Sequence, residues 1–198
     1  MFTGIIKKVG KIKAAEDKNQ SMFVSVSLPR GWKLKKGGSI SINGICSTVR
    51  SFSQTSFEVE YMPETIAKTT VATWAAGTEV NLEQSLRLND FVDGHLVVGH
   101  IDATAQIVNI EIKGDSKVFT IKVPKEFLGF IAPKGSIALD GVSLTVVDVA
   151  DDGFSVSLVS YTLSNTNFGA KKAGGLVNIE TDMMAKYIYN IMKHEKRN

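Results

Sequence analysis

One cysteine, Cys46, stands in a chain of 198 residues, so no intrachain disulfide can form and a reducing cytoplasm is the expected location. No run of apolar residues is long enough to cross a bilayer as a helix, and no membrane association is expected. The opening Met1-Phe2-Thr3-Gly4-Ile5-Ile6-Lys7-Lys8 puts its charge after a short apolar run, the reverse of a secretory leader. Basic residues never run beyond two, and 23 Lys and Arg against 20 Asp and Glu leave a net charge of only +3. That lacks the basic stripe and stacking aromatics of a nucleic-acid binder, so no nucleic acid is expected as a partner. Neither a Gly-x-Gly-x-x-Gly turn nor a P-loop occurs. His95 and His100 are five apart, on opposite faces of any strand that holds them, and no third ligand has suitable spacing, so no metal is expected.

What the chain does have is itself, twice. Hydrophobic residues at 43% and charged residues at 22% fit a soluble globular protein of one large domain or two small ones. Shifted by 97 positions, residues 38–83 meet residues 135–180 with 15 identities in 46 aligned positions, where chance gives about three. Gly38-Ser39-Ile40 falls on Gly135-Ser136-Ile137, and Val80-Asn81-Leu82-Glu83 falls on Val177-Asn178-Ile179-Glu180. Upstream the shift is 95, placing Gly4 on Gly99 and Pro29 on Pro124.

Each copy reads as β-structure. Phe57-Glu58-Val59-Glu60 and Phe154-Ser155-Val156-Ser157-Leu158 alternate with period two, and Asn43-Gly44, Asp140-Gly141 and Asp152-Gly153 punctuate them as turns. Short strands in a repeat of under 100 residues predict a small closed barrel. The fold class is therefore all-β: two barrels in tandem related by a pseudo-twofold, over residues 1–92 and 93–181, followed by a helix over 182–198. Asp182 can cap that helix, and Met183, Met184, Tyr187, Ile188, Ile191 and Met192 form its apolar stripe. The stripe packs either on its own barrel or on the same helix of another subunit.

A duplicated barrel implies two quasi-equivalent sites, and polar positions where the copies disagree can give two bound molecules different roles. Cys46 aligns with Ser143, His100 with Ile5, Glu60 with Ser157, and Lys134 with Gly37. Cys46 reads either as a small buried hydrophobe or as a nucleophile position, since its counterpart is a hydroxyl. Each histidine reads either as structural or as an acid, base or hydrogen-bond donor.

At these residues the sequence resembles the riboflavin synthases of the alpha-chain type. Met1-Phe2-Thr3-Gly4-Ile5-Ile6, Asn43-Gly44-Ile45-Cys46-Ser47-Thr48-Val49, Gly94-His95-Leu96-Val97-Val98-Gly99-His100-Ile101-Asp102 and Lys134-Gly135-Ser136-Ile137 through Asp140-Gly141-Val142-Ser143-Leu144-Thr145-Val146 carry the resemblance, in order, along the whole chain. It implies six-stranded Greek-key barrels and a cofactor-free dismutation. Two molecules of 6,7-dimethyl-8-ribityllumazine exchange four carbons, giving riboflavin and 5-amino-6-ribitylamino-uracil. It also implies a homotrimer through the C-terminal helix, a site shared between the N-barrel of one subunit and the C-barrel of the next, and association with lumazine synthase.

By the same resemblance Cys46 and Thr48 line the N-barrel site, Ser143 and Thr145 line the C-barrel site, and His100 is the polar group nearest the reacting carbons. Ser39, His95, Lys134 and Asp182 support them. The ligand-lining segments are Gly4, Ile5 and Ile6 with Gly99, His100 and Ile101, and Glu60, Tyr61, Met62, Pro63, Glu64 and Thr65 with Ser157, Leu158, Val159, Ser160, Tyr161 and Thr162. Ser47 and Leu144 complete the set. The chain departs from the family at Ser47, where Leu is common, at Tyr161, through Asn89–Gly94, and at Lys7. A non-catalytic lumazine- or flavin-binding relative is the alternative reading.

Overall fold

The computed structural model describes residues 1–195, so 196–198 of the expected terminal helix lie outside the described residues. In the first half, β1 (Lys8–Lys18), β2 (Ser21–Ser27), β3 (Ser39–Ile42), β4 (Ile45–Thr48), β5 (Ser51–Phe52), β6 (Ser56–Tyr61) and β7 (Glu79–Gln84) form one antiparallel sheet in the order β4-β3-β7-β1-β2-β6-β5. In the second, β8 (Ala103–Lys113), β9 (Ser116–Lys122), β10 (Ser136–Leu139), β11 (Val142–Ala150), β12 (Gly153–Leu158) and β13 (Leu176–Thr181) close a six-stranded barrel, β10-β11-β12-β9-β8-β13. The halves differ in strand number because β11 is continuous, with a register shift between Val146 and Val149, whereas its counterpart breaks at Val49-Arg50 into β4 and β5. The first-half sheet therefore curls until its two edges are consecutive pieces of chain.

Alternation places the core. Ile12, Val24, Val26, Phe57 and Val59 fill the first barrel, and Ile107, Phe119, Ile121, Phe154 and Val156 fill the second. Two six-residue helices, α1 (Pro63–Lys68) and α2 (Ser160–Asn165), enter at matching places between the last two strands of each half. Both are too short to show helical periodicity in sequence. Thr69 and Thr166 end them alike: each hydroxyl donates to a carbonyl four residues back and accepts an amide two residues on.

The halves meet across a pseudo-twofold. Phe2 and Val97, related by the repeat, exchange two backbone hydrogen bonds of 2.7 and 3.1 Å. Gly44 and Gly141 face each other in the two-residue turns after β3 and β10, and a Cβ on either would lie 2.7 Å from the other's amide nitrogen. Around them Asn81 Nδ2 donates to Asp140 O, and Asn178 Nδ2 donates to Asn43 O. No buried side-chain nitrogen or oxygen among the described residues lacks a partner.

The last helix, α3 (Met183–Glu195), leaves the second barrel and starts under the Asp182 carboxylate, which accepts from Met184 N at 2.9 Å. Tyr189 meets Phe130 edge to face, and Lys186 reaches Asp102 at 2.7 Å. Met184, Tyr187, Ile188, Ile191 and Met192 are each more than half exposed, so most of the apolar stripe does not pack on its own barrel. No described helix is long and apolar enough to cross a membrane.

Candidate functional site

Each half's leading segment crosses onto the other half. Cys46 N donates to Gly99 O at 2.8 Å, and Ser143 N donates to Gly4 O at 2.8 Å. Residues 99–101 of the second repeat thus lie on β4 of the first barrel, while residues 4–6 of the first repeat lie on β11 of the second. The approach leaves no room for a side chain. A Cβ on Gly99 would sit 2.7 Å from Cys46 Cβ, and one on Gly4 would sit 2.7 Å from Ser143 Cβ, both at positive φ.

On the first barrel this crossing borders a cavity of about 220 Å³, open to solvent on one side and lined by Ile45, Cys46, Glu64, Thr65, Lys68, Thr69, Gly99, His100 and Ile101. Of the residues expected from sequence, it gathers Cys46, Glu64, Thr65, Gly99, His100 and Ile101. Alternation along β4 puts Cys46 and Thr48 on the outer face and Ser47 inside. Ser39 pairs with Thr48 across β3 and β4. Ser47 and Tyr61 turn their side chains into the core, where Ser47 Oγ and Tyr61 OH lie 2.8 Å apart, so neither presents its polar atom to the cavity. Burial drives the Tyr61 hydroxyl far above its ordinary pKa, keeping it protonated. Glu60 binds Arg50 at 3.3 Å, and Met62 and Pro63 carry the chain over the rim into α1.

On the second barrel Gly4, Ile5 and Ile6 flank Ser143, whose Oγ lies 2.7 Å from His95 Nδ1. Burial holds His95 below its ordinary pKa and so favours the neutral ring, although the Asp182 charge pulls the other way. Thr145 is exposed two residues along β11, paired with Ser136. Leu144 and Leu158 point into the core. Ser157, Val159, Ser160 and Tyr161 are exposed along the rim, and Thr162 O accepts from Thr166 Oγ1. Lys134 adopts φ 66° where the first half has Gly37, a left-handed conformation that costs a lysine on the order of 1 kcal/mol.

The rims differ in charge. Glu64 and Lys68 form an ion pair of 3.0 Å on α1, while at the aligned places on α2 Asn165 Nδ2 donates to Tyr161 O. Sequence reasoning missed Ile45, Lys68 and Thr69 as lining residues. Only Thr69 carried a signal, its identity with Thr166. Among the described residues no group of three His, Cys, Asp or Glu side chains could hold a metal ion. The arrangement offers two quasi-equivalent surfaces, one with a thiol and an imidazole, the other with a hydroxyl bonded to an imidazole.

Comparison with known proteins agrees with this duplication. The lumazine binding domain model matches residues 3–85 and again residues 98–182. The chain is 40% identical to a riboflavin synthase of Brucella abortus over 99% of its own length and all of the relative's. To a riboflavin synthase of Bacillus subtilis it is 37% identical, covering all of this chain and 93% of that one. Among solved structures, LumP complexed with riboflavin superposes with a TM-score of 0.86 at 26% identity, over 92% of this chain and 100% of that one. LumP complexed with 6,7-dimethyl-8-(1'-D-ribityl) lumazine gives 0.83 at 26% identity, over 91% and 99%.

Proposed function

The chain belongs to the riboflavin synthase family, built from two lumazine binding domains, and we propose that its unequal sites carry out that family's dismutation. Two molecules of 6,7-dimethyl-8-ribityllumazine bind, one on an N-barrel surface and one on a C-barrel surface. One gives up four carbons and leaves as 5-amino-6-ribitylamino-uracil; the other gains them and leaves as riboflavin. Nothing is oxidised or reduced overall, so no electron acceptor or cofactor is needed.

The chemistry asks for a proton to leave a ring methyl group, for the resulting anion to be stabilised, and for a nucleophile to add to the second ring. Cys46, Thr48 and His100 serve the first barrel; Ser143 and Thr145 serve the second, with the neutral His95 as acceptor or donor beside Ser143. Gly4 to Ile6, Gly99 to Ile101, and the two rim segments wall the rings, and Ser39, Lys134 and Asp182 supply polar contacts. Holding both rings in stacked contact removes much of the entropic barrier.

The observation that carries the reading is the equivalence of Cys46 and Ser143, each clamped by the other half's glycine at 2.8 Å, on two surfaces of one design. Incubation with the lumazine alone tests it. One riboflavin should appear for every two lumazines consumed; a folded chain that binds the lumazine without converting it would favour a binding role like that seen in the LumP complexes.

The exposed α3 stripe supports a homotrimer in which the N-barrel surface of one subunit faces the C-barrel surface of the next. A chain ending at Thr181 should then sediment as a monomer and turn over poorly; an intact, active trimer from it would remove the helix from the interface. We extend the reading to a cytoplasmic setting and to an association with lumazine synthase, the source of the substrate.

A further inference from the structure

Two buried carboxylates take no part in the polar set assigned above. Glu83 on β7 and Glu180 on β13 are each only 3% exposed. Glu83 Oε1 accepts from Thr3 N at 2.8 Å and from Thr3 Oγ1 at 2.7 Å, and its Oε2 accepts from Gly4 N at 3.0 Å. Glu180 repeats the pattern, with Oε1 accepting from Val98 N at 2.7 Å and Oε2 from Gly99 N at 2.8 Å. The held glycines are the ones whose carbonyls accept from Ser143 N and Cys46 N. A chain of two links therefore runs from each carboxylate, through a crossing segment, to the polar residue of the opposite barrel.

A buried charge is a costly way to fill space. Without a purpose for its oxygens, an apolar side chain of similar volume would stabilise the fold at least as well. Burial pushes both carboxyls above their ordinary pKa, while the backbone amides that they bind pull the other way. A carboxylate is the side chain that accepts from two neighbouring amides with two separate oxygens, and so fixes both the position and the tilt of a segment.

We propose that Glu180 is a positioning residue for the first-barrel site, acting through residues 98–101 on Cys46, and that Glu83 does the same for the second-barrel site, acting through residues 3–6 on Ser143. The proposal rests on the riboflavin synthase reading for its kinetic consequences but not for its geometry. The two clamps place different chemistry. The segment held by Glu180 brings His100 to the cavity that holds Cys46, whereas the segment held by Glu83 brings the aligned Ile5. Loosening the first shifts a group proposed to react; loosening the second shifts an apolar wall.

Glu180→Gln in the full-length chain tests this. Glutamine keeps the shape and one acceptor oxygen but turns an NH2 group towards an amide that needs an acceptor. The kcat for lumazine should fall about tenfold or more, with KM changing less than about threefold. Glu83→Gln should show the opposite split, raising KM by a larger factor than it lowers kcat. A second readout needs no turnover. Cys46 is the sole cysteine, so alkylation by iodoacetamide reports on it alone. Release of Gly99 in Glu180→Gln should speed that alkylation severalfold, and Glu83→Gln should leave it at the parent rate.

Glu180→Asp, which keeps both acceptors one methylene further back, should fall between parent and Gln, and it carries the test if the Gln chain does not fold. Ile121→Val, a mild truncation in the same barrel's core, controls for lost stability and should move neither kcat nor alkylation. Parental kcat and parental alkylation in folded Glu180→Gln or Glu180→Asp would overturn the proposal, as would equal acceleration of alkylation by Ile121→Val. A parent that makes no riboflavin, yet whose Cys46 is released by Glu180→Gln, would sink the reaction reading and leave the clamp standing.

Discussion

The first barrel and the second solve the same packing problem with different residues, and their differences fall into two kinds. Inside, substitutions come in compensating pairs. Where the second core holds Leu144 and Leu158, the first holds Ser47 and Tyr61, hydrogen-bonded at 2.8 Å. Where the second half has Asp140 with Lys171 at 2.6 Å, the first has Asn43 and Trp74 at the aligned positions, two neutral residues. The aromatic edge contact moves as well, from Tyr61–Trp74 at 5.8 Å to Phe119–Phe168 at 5.4 Å. Outside, Cys46 against Ser143 and His100 against Ile5 are not matched pair for pair: Ser143 bonds His95, a residue with no counterpart in the first repeat. Internal differences preserve a fold; the outer ones are where the proposed reaction gives the two copies different work.

The largest break in that comparison should come from Lys171→Ala. The Asp140 side chain is wholly buried at the junction of the halves, and the lysine is its only cation within ion-pair distance among the described residues. Its remaining partners are Asn178 N at 2.8 Å and Asn167 Nδ2 at 3.4 Å. Removing one member of a buried pair should cost about 3 kcal/mol, read as a lower urea midpoint. Asp140→Asn with Lys171→Trp installs the first half's neutral solution and should recover most of the loss. A single-variant cost below about 0.5 kcal/mol, the scatter of surface changes, would show that the pair balances nothing.

Ser47 and Tyr61 give the next effect. Ser47→Ala leaves a buried phenol without its partner and should cost about 1–2 kcal/mol; Tyr61→Phe should cost a similar amount. If the pair acts as a unit, the double variant should be less destabilised than the sum of the singles by about 1 kcal/mol. Strict additivity would mean that the serine found at a family leucine position is independent of the tyrosine.

How far the sequence discloses this comparison depends on what kind of relation is at stake. The duplication, the alternating strands and the apolar face of α3 are legible because each is a period in the residues. The crossing of residues 4–6 and 99–101 is not. A repeat says which positions are equivalent, but not whether a segment packs on its own barrel or on the other. The same gap hid the clamps: Glu83 and Glu180 stood out only as matched residues in two strands, and their partners lie about 80 residues away. The helices α1 and α2 were invisible because six residues cannot show a helical period. The Ser47 departure carried no physical account in the sequence, and its meaning came only with Tyr61 beside it.

Exchanging Cys46 and Ser143 sharpens the outer difference. Cys46→Ser gives the first surface the hydroxyl already present on the second. If Cys46 is a polar wall residue and water attacks the acceptor, kcat should stay within about tenfold, near 1.4 kcal/mol in the barrier. A thousandfold loss with lumazine binding intact would identify the thiolate as the nucleophile, because serine is a weak one without a dedicated base. Ser143→Cys should behave differently, since Ser143 holds a hydrogen bond to His95 that a thiol makes poorly.

The smallest effect is a change in the pH dependence of stability, and its sign follows from His95. Burial lowers the folded pKa of this ring from 6.5. As pH falls through 6.5 the unfolded chain takes up the proton first, so stability declines from there until the folded ring also protonates. Above 6.5 both states hold the neutral ring and the slope vanishes. Glu83 and Glu180 run the other way: their folded pKa values are raised from 4.5, so their contribution is greatest below that value and is lost as pH rises through the folded values. Urea midpoints of the parent and of His95→Gln, taken between about pH 5 and 8, separate the two. The variant should lose the acid-side decline that begins near 6.5, because glutamine does not titrate, while keeping the slope that the two carboxylates contribute. Superimposable curves would mean that the Ser143–His95 pair is as open to water in the folded chain as in the unfolded one, and the second surface would then have no claim to a ring held neutral by burial.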